Sequence, residues 1–271
     1  MDNNIPTWTK KPYILLGYRE QNKSNLNYLA SILKIHNESV NIWTHMMGLL
    51  YFLYIISKNN SYNYIIILYD LTAALCFLLS TLYHVYMPYS ENNYLLLLHL
   101  DLYSIILNIT TSNILVYYYW FWCYDNMRNY YMILSIAYLS IGLAILLNCN
   151  IIAKYNYILL YFGAYNIFIP LSYIYIYNLT NGNINIVIKY DFSESICYFV
   201  IGFLIYLTKM PEILFVKKFD IVGSSHQLWH VFSSLGTYYF HEEIIKNINY
   251  RKFDNCYQCL NNASAIPALI S

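Results

Sequence analysis

Long apolar runs separated by short polar joints dominate the chain. Crossing a bilayer takes about 20 mostly apolar residues in a helix, and seven segments meet that measure. They cover about residues 41–57, 64–86, 96–119, 130–149, 157–177, 192–208 and 222–244. Pro170 falls inside the fifth segment, where a spanning helix tolerates a kink. The third and seventh carry polar residues at one end, so hydropathy alone scores them lower. The pattern predicts an all-α membrane protein with seven spans. Its divisions are a segment over 1–40, a transmembrane domain over 41–245 and a tail over 246–271.

Ahead of the first span, residues 24–36 read SNLNYLASILKIH. Leu26, Leu29, Ile32, Leu33 and His36 recur at helical spacing and predict a short amphipathic helix. Lying on the membrane surface and packing as an ordinary helix under the spans are equally good readings of it. The opening stretch lacks the apolar core and cleavage site of a signal peptide, so the first span is expected to direct insertion.

Composition agrees with the pattern. Hydrophobic residues make up 59% and charged residues 11%, too little charge to cover a soluble surface of this size. A net charge of +1 leaves no electrostatic footprint for nucleic acid. With 34 tyrosines in the chain, a single tyrosine carries no functional weight. Of the six cysteines, Cys76, Cys123, Cys149 and Cys197 sit in or near apolar runs and read as small hydrophobes. Cys256 and Cys259 form a lone CxxC in the tail, which is weak evidence for a metal.

Lysines and arginines set the orientation. With the N-terminus cytoplasmic, nine fall inside: Lys10, Lys11, Arg19, Lys23, Lys34, Lys154, Lys209, Lys217 and Lys218. Three fall in the outer loops, Lys58, Arg128 and Lys189, and three more in the tail. The expectation is N-terminus cytoplasmic and C-terminus exoplasmic. The sequons at Asn59, Asn178 and Asn262 then lie outside.

Helix direction gathers the candidate chemistry. Ionisable side chains within spans are costly and mark function. His84 closes the second span at its inner end, Asp101 opens the third at that end, and His226 and His230 open the seventh there. Ser80 stands one turn from His84. His226 and His230, spaced i, i+4, share one helix face and can offer two nitrogens to one metal. A third imidazole from His84 leaves a fourth position for water, the open arrangement of a catalytic zinc. Three neutral imidazoles suit zinc better than magnesium or calcium. Ordinary hydrogen-bonded helix contacts are the competing account. His36 and His241 read as interfacial, and His99 faces away from Asp101. His45, sharing a face with Glu38 and Ile42, reads as ordering the first span. Asp70, deep in the second span, either marks a polar cavity or pairs across to another helix.

These motifs resemble a known family. GYRE (17–20), IHNESVNIWTHMMG (35–48), STLYHVY (80–86), LDLYS (100–104) and KMPEILFVKKFDIVGSSHQLWHVF (209–232) resemble, in order and spacing, the progestin and adipoQ receptors. The last block is closest to the adiponectin receptors, and the family also takes in haemolysin III-like proteins. The resemblance runs from about Gly17 to Phe240. It implies zinc ligands at His84, His226 and His230, an acidic residue at Asp101 reaching the metal through water, and Ser80 beside it. It implies seven helices with a cytoplasmic N-terminus, and hydrolysis of a ceramide-like lipid amide or signalling through it. A receptor with purely structural zinc and a haemolysin-like membrane-active protein are the alternatives. Membrane lipids are the expected partners; the sequence names no protein ligand.

Overall fold

The computed structural model describes residues 5–58, 64–122, 125–148 and 192–251. Among these residues every regular element is helical. A short helix α1 (Asn25–Ala30) runs on into a 3-10 turn (Ser31–Leu33). There follow α2 (Ser39–Lys58), α3 (Tyr64–Tyr86), α4 (Glu91–Trp120), α5 (Asp125–Asn148), α6 (Ser193–Thr208) and α7 (Ser225–Arg251). The expected fifth span, 157–177, lies outside the described residues, as do Cys256, Cys259 and the three sequons.

Four of these helices are long and apolar enough to cross a membrane: Ser39–Lys58, Tyr64–Tyr86, Glu91–Trp120 and, within α5, Asp125–Leu147. At about 1.5 Å per residue, the 23 residues of α3 exceed the roughly 30 Å of a hydrocarbon core. The 16-residue α6 is apolar but shorter. The chain is an all-α, multi-pass integral membrane protein.

Helix α1 takes the place of the expected amphipathic helix, with Ser24 Oγ accepting from Asn27 N–H as its N-cap. Leu26, Leu29 and Leu33 are exposed, whereas Tyr28 and Ser31 face inward. The helix and the turn after it nevertheless pack against α2 and α3, through Tyr28 and Ile32 rather than through these leucines. Tyr28 fills a small core with Ile42 and Val85.

Two compact units make up the described chain, one of residues 5–58, 64–108 and 192–241, the other of 109–122, 125–148 and 242–251. In the first, α2 lies close against α3 because residue 48 is glycine. A Cβ there would stand 2.7 Å from the Phe77 ring. Phe52 stacks on Phe77 at 5.9 Å. Helix α3 presents Ile66, Tyr69, Asp70, Ala73, Phe77, Ser80 and His84 inward at three- and four-residue steps, one buried stripe. Tyr69 donates to the Thr237 carbonyl of α7 at 3.2 Å, and Ser195 of α6 donates to the Gly236 carbonyl at 2.8 Å. The second unit is aromatic at its core: Tyr131 stacks on Tyr117 and Phe121 at 4.8 and 5.0 Å.

Candidate metal centre

His84 stands near the end of α3, and His226 and His230 in the first turns of α7. The loop before α7 fixes where that helix starts. Glu212 accepts from the Ser225 N–H at 2.7 Å and from its hydroxyl. Gln227 Oε1 accepts from Gly223 N–H at 2.6 Å, while its Nε2 donates to the Asn37 and Ile221 carbonyls, each at 2.8 Å. Gly223 has φ +89°, a backbone conformation that glycine adopts without strain. This polar lacing places the helix start against the segment that precedes α2.

One ligand nitrogen from each of His84, His226 and His230 lies within 4.8 Å of the others. The ring centroids are 4.7 Å apart for His84 and His230, 4.8 Å for His226 and His230, and 5.3 Å for His84 and His226. His84 and His230 are buried and His226 half-buried. Among the described residues no other such group of three histidines, cysteines or carboxylates forms. Three imidazoles converging in a buried setting fit a zinc ion, the donor set that metal takes.

Asp101 does not join that group. It is buried and hydrogen-bonded to Ser80, which sits one turn from His84 on the α3 stripe. Its Oδ1 has no partner among the described residues. Asp101 thus bonds a residue that stands one turn from His84 on the same helix.

Several residues surround the cluster in ways the sequence reading passed over. Glu38, the residue before α2, is buried, and its Oε2 lies 2.8 Å from His84 Nδ1. Asn41 Nδ2 donates to the same oxygen at 2.6 Å, and Lys11 Nζ pairs with Oε1 at 2.7 Å. Burial would raise the Glu38 carboxyl, but Lys11 and the His84 hydrogen bond overcome it and hold the group well below the usual carboxylate range. Arg19 donates to the His84 carbonyl, to the Val85 carbonyl at 2.9 Å and to Ser31 Oγ at 2.8 Å. Its guanidinium caps carbonyls at the end of α3, as a cation does best. Burial lowers its pKa to about 10.

His36 and His241 are buried, so the interfacial reading of both is incorrect. His36 Nδ1 accepts from Glu38 N–H at 3.1 Å, and its Nε2 meets the Ser31 carbonyl at 3.1 Å. Burial first, and the Arg19 charge second, push its pKa down to about 4. It is a neutral brace for the turn carrying Glu38. His241 Nε2 lies 3.4 Å from Asp70 Oδ1, so Asp70 pairs with another helix. His45 does more than order the first span: its ring lies 3.9 Å from that of His230, tilted by 32°.

The signal for Glu38 was available in the sequence. The depth argument, applied to the first span as well as the others, puts a carboxylate at the level of His84. Arg19 and Lys11 gave no such signal, because they lie in an irregular segment.

A family model described as Haemolysin-III related matches residues 33–241, which include every candidate ligand. The chain belongs to the haemolysin-III-related family. Several curated relatives carry receptor names. The human protein named Progestin and adipoQ receptor family member 3 is 25% identical over 277 residues, covering 90% of this chain and 84% of the relative. The ADIPOR-like receptor IZH1 of Eremothecium gossypii is 28% identical over 254 residues, covering 87% and 80%. The Adiponectin receptor protein of Drosophila melanogaster is 25% identical over 266 residues, covering 92% and 59%. Membership of the haemolysin-III-related family accounts for the ordered motifs along the matched length.

Proposed function

We propose that His84, His226 and His230 bind one zinc ion, and that the protein hydrolyses a membrane lipid amide in the manner of a ceramidase. The observation that carries this reading is the convergence of three imidazoles, two buried and one half-buried, with ligand atoms within 4.8 Å of one another. A bound zinc supplies Lewis-acid polarisation of a carbonyl and lowers the pKa of water toward about 7. The chain's own residues do the rest. Asp101, with Oδ1 unpartnered, takes the proton from the attacking water and returns it to the leaving amine. Ser80 holds the Asp101 carboxyl in place and orients the carbonyl. The burial of the site excludes bulk water, and a lipid substrate keeps its acyl chain among apolar helices. Trp43, Met47, Leu50 and Leu53 along α2 are exposed and suit contact with membrane lipid.

A second reading has its own support. Asp101 lies outside the group of three ligands, which suits a zinc that only staples α3 to α7 in a lipid-sensing receptor. The receptor names of the relatives favour signalling as the output.

Elemental analysis of the purified chain tests the metal: one zinc per chain is expected, lost in His84→Ala and in His226→Ala. A wild-type chain without zinc would sink both readings. Ceramide turnover separates them, since the hydrolase reading requires turnover by the wild type that His230→Ala abolishes. Seven spans with a cytoplasmic N-terminus and an exoplasmic C-terminus complete the proposal. Glycosylation at Asn59, Asn178 or Asn262 supports that orientation; modification of a sequon engineered ahead of α1 instead reverses it.

A further inference from the structure

The contact between Glu38 and His84 has a chemical direction. A carboxylate only accepts hydrogen bonds, so at 2.8 Å from Oε2 the Nδ1 of His84 carries the proton. Nε2 then presents its lone pair. Three donors contact the Glu38 carboxylate: His84 Nδ1–H and Asn41 Nδ2 at Oε2, Lys11 Nζ at Oε1. Both partners are buried, with Glu38 only 2% exposed and His84 1%. The same stretch of chain holds the backbone of His84, since Arg19 donates to the His84 and Val85 carbonyls. It is tied in turn to the start of α7, because Gln227 donates to the Asn37 carbonyl, one residue from Glu38, at 2.8 Å. Asn37 N–H donates to the Gly17 carbonyl at 3.0 Å.

We propose that Glu38 is a positioning residue for the metal site: its carboxylate fixes the Nδ1–H tautomer of His84 and aims Nε2 toward His226 and His230. Lys11 and Asn41 hold that carboxylate, so the segment from Lys11 to Asn41 sets the metal affinity although it supplies no ligand. An imidazole ligand whose second nitrogen donates to a carboxylate is oriented and made more basic, and losing such a partner costs about 10- to 100-fold in affinity. This inference rests on the zinc reading for its consequence, but not for the tautomer itself.

Glutamine at position 38 is the sharpest probe. Its amide has one donor end, and each position it can occupy already faces a donor. Turned toward His84, the amide nitrogen forces Nδ1 to accept and puts the proton on Nε2, which removes the ligand. Turned the other way, it opposes Lys11.

Two measurements on the full chain in detergent micelles test the proposal. The first is nitrogen NMR of histidine-labelled, metal-free protein, with His84 assigned from its loss in His84→Asn. The expected result is a protonated Nδ1 on His84 in the wild type, and a shift toward protonated Nε2 in Glu38→Gln. The second is zinc titration against a chromophoric chelator. Glu38→Gln should bind about 10- to 100-fold more weakly yet still reach one zinc per chain at saturation, and Lys11→Met should weaken binding a few-fold at most. Equal affinity in wild type and Glu38→Gln overturns the proposal. So does a wild-type His84 protonated on Nε2, a result that needs no variant to fold. A wild type that binds no zinc defeats the metal reading, while the tautomer still decides whether Glu38 orients His84.

Discussion

Helix α3 carries Asp70 and His84 on one buried stripe, about four turns and roughly 21 Å apart. Helix α7 carries His230 and His241, about three turns and roughly 16 Å apart. The same two helices therefore meet through polar groups at two levels. At one level an Asp70 oxygen faces the His241 ring directly, at 3.4 Å. At the other the carboxylate stands behind the imidazole, Glu38 on Nδ1 of His84, and the ligand atoms of three histidines converge in front. Placement of the carboxylate makes the difference. Set face to face, acid and imidazole fill the space between the helices with each other, at a distance long for a hydrogen bond. Set behind, the acid orients the ring and leaves a nitrogen for something else. Buried histidine beside a carboxylate is thus not one feature but two, told apart by which nitrogen is occupied and what the other one faces.

The largest expected effect breaks this comparison cleanly. Replacing His84 with Ala should take zinc content from one per chain to none, while Asp70→Ala should leave it at one. Elemental analysis of both purified variants reads the outcome. Zinc lost from Asp70→Ala, with the chain still folded, would make the two levels a single site.

Next in size is Asp101→Asn. A general base in its place contributes about 10²- to 10⁴-fold, so lipid amide turnover should drop by that factor with zinc retained. Unchanged turnover would leave Asp101 as a helix contact to Ser80 and favour the stapling role for the metal. The two amide orientations of Asn keep a hydrogen bond to Ser80 available, so loss of fold is not the expected outcome.

Much of this was legible in the chain, and the failures have physical causes. Apolar runs located α2 and α3 closely. They started α4 at 96 and α5 at 130, whereas the helices begin at Glu91 and Asp125. Polar residues such as Asn92 and Arg128 extend a helix beyond its apolar window, and hydropathy cannot see them. The three histidines were legible because helix direction and i, i+4 spacing are properties of regular elements. Depth alone signals Glu38, since its pairing runs from a turn to a helix end and obeys no spacing rule. His36 and His241 were misread for a related reason: a histidine at the edge of an apolar run looks interfacial until the partner that buries it is known. For His36 that partner set is Ser31 and the Glu38 N–H, and for His241 it includes Asp70.

The smallest effect sharpens what the closed pair is worth. If Asp70 and His241 serve only each other, their contribution should appear as coupling between them and nowhere else. Removing either alone strands a buried polar group, so each single variant overstates the pair. A double-mutant cycle with Asp70→Asn and His241→Gln isolates the pairwise part. Polar contacts between membrane helices average about 0.6 kcal/mol in such cycles and reach about 1.7 kcal/mol. At 3.4 Å the contact is long for a hydrogen bond, which places it toward the lower figure. Equilibrium unfolding of the four proteins in mixed micelles measures it. Coupling near that figure, with identical zinc affinity in all four, fits a closed helix contact. Coupling well above it, or a change in zinc affinity carried along α3 or α7, would mean that the two levels act on each other.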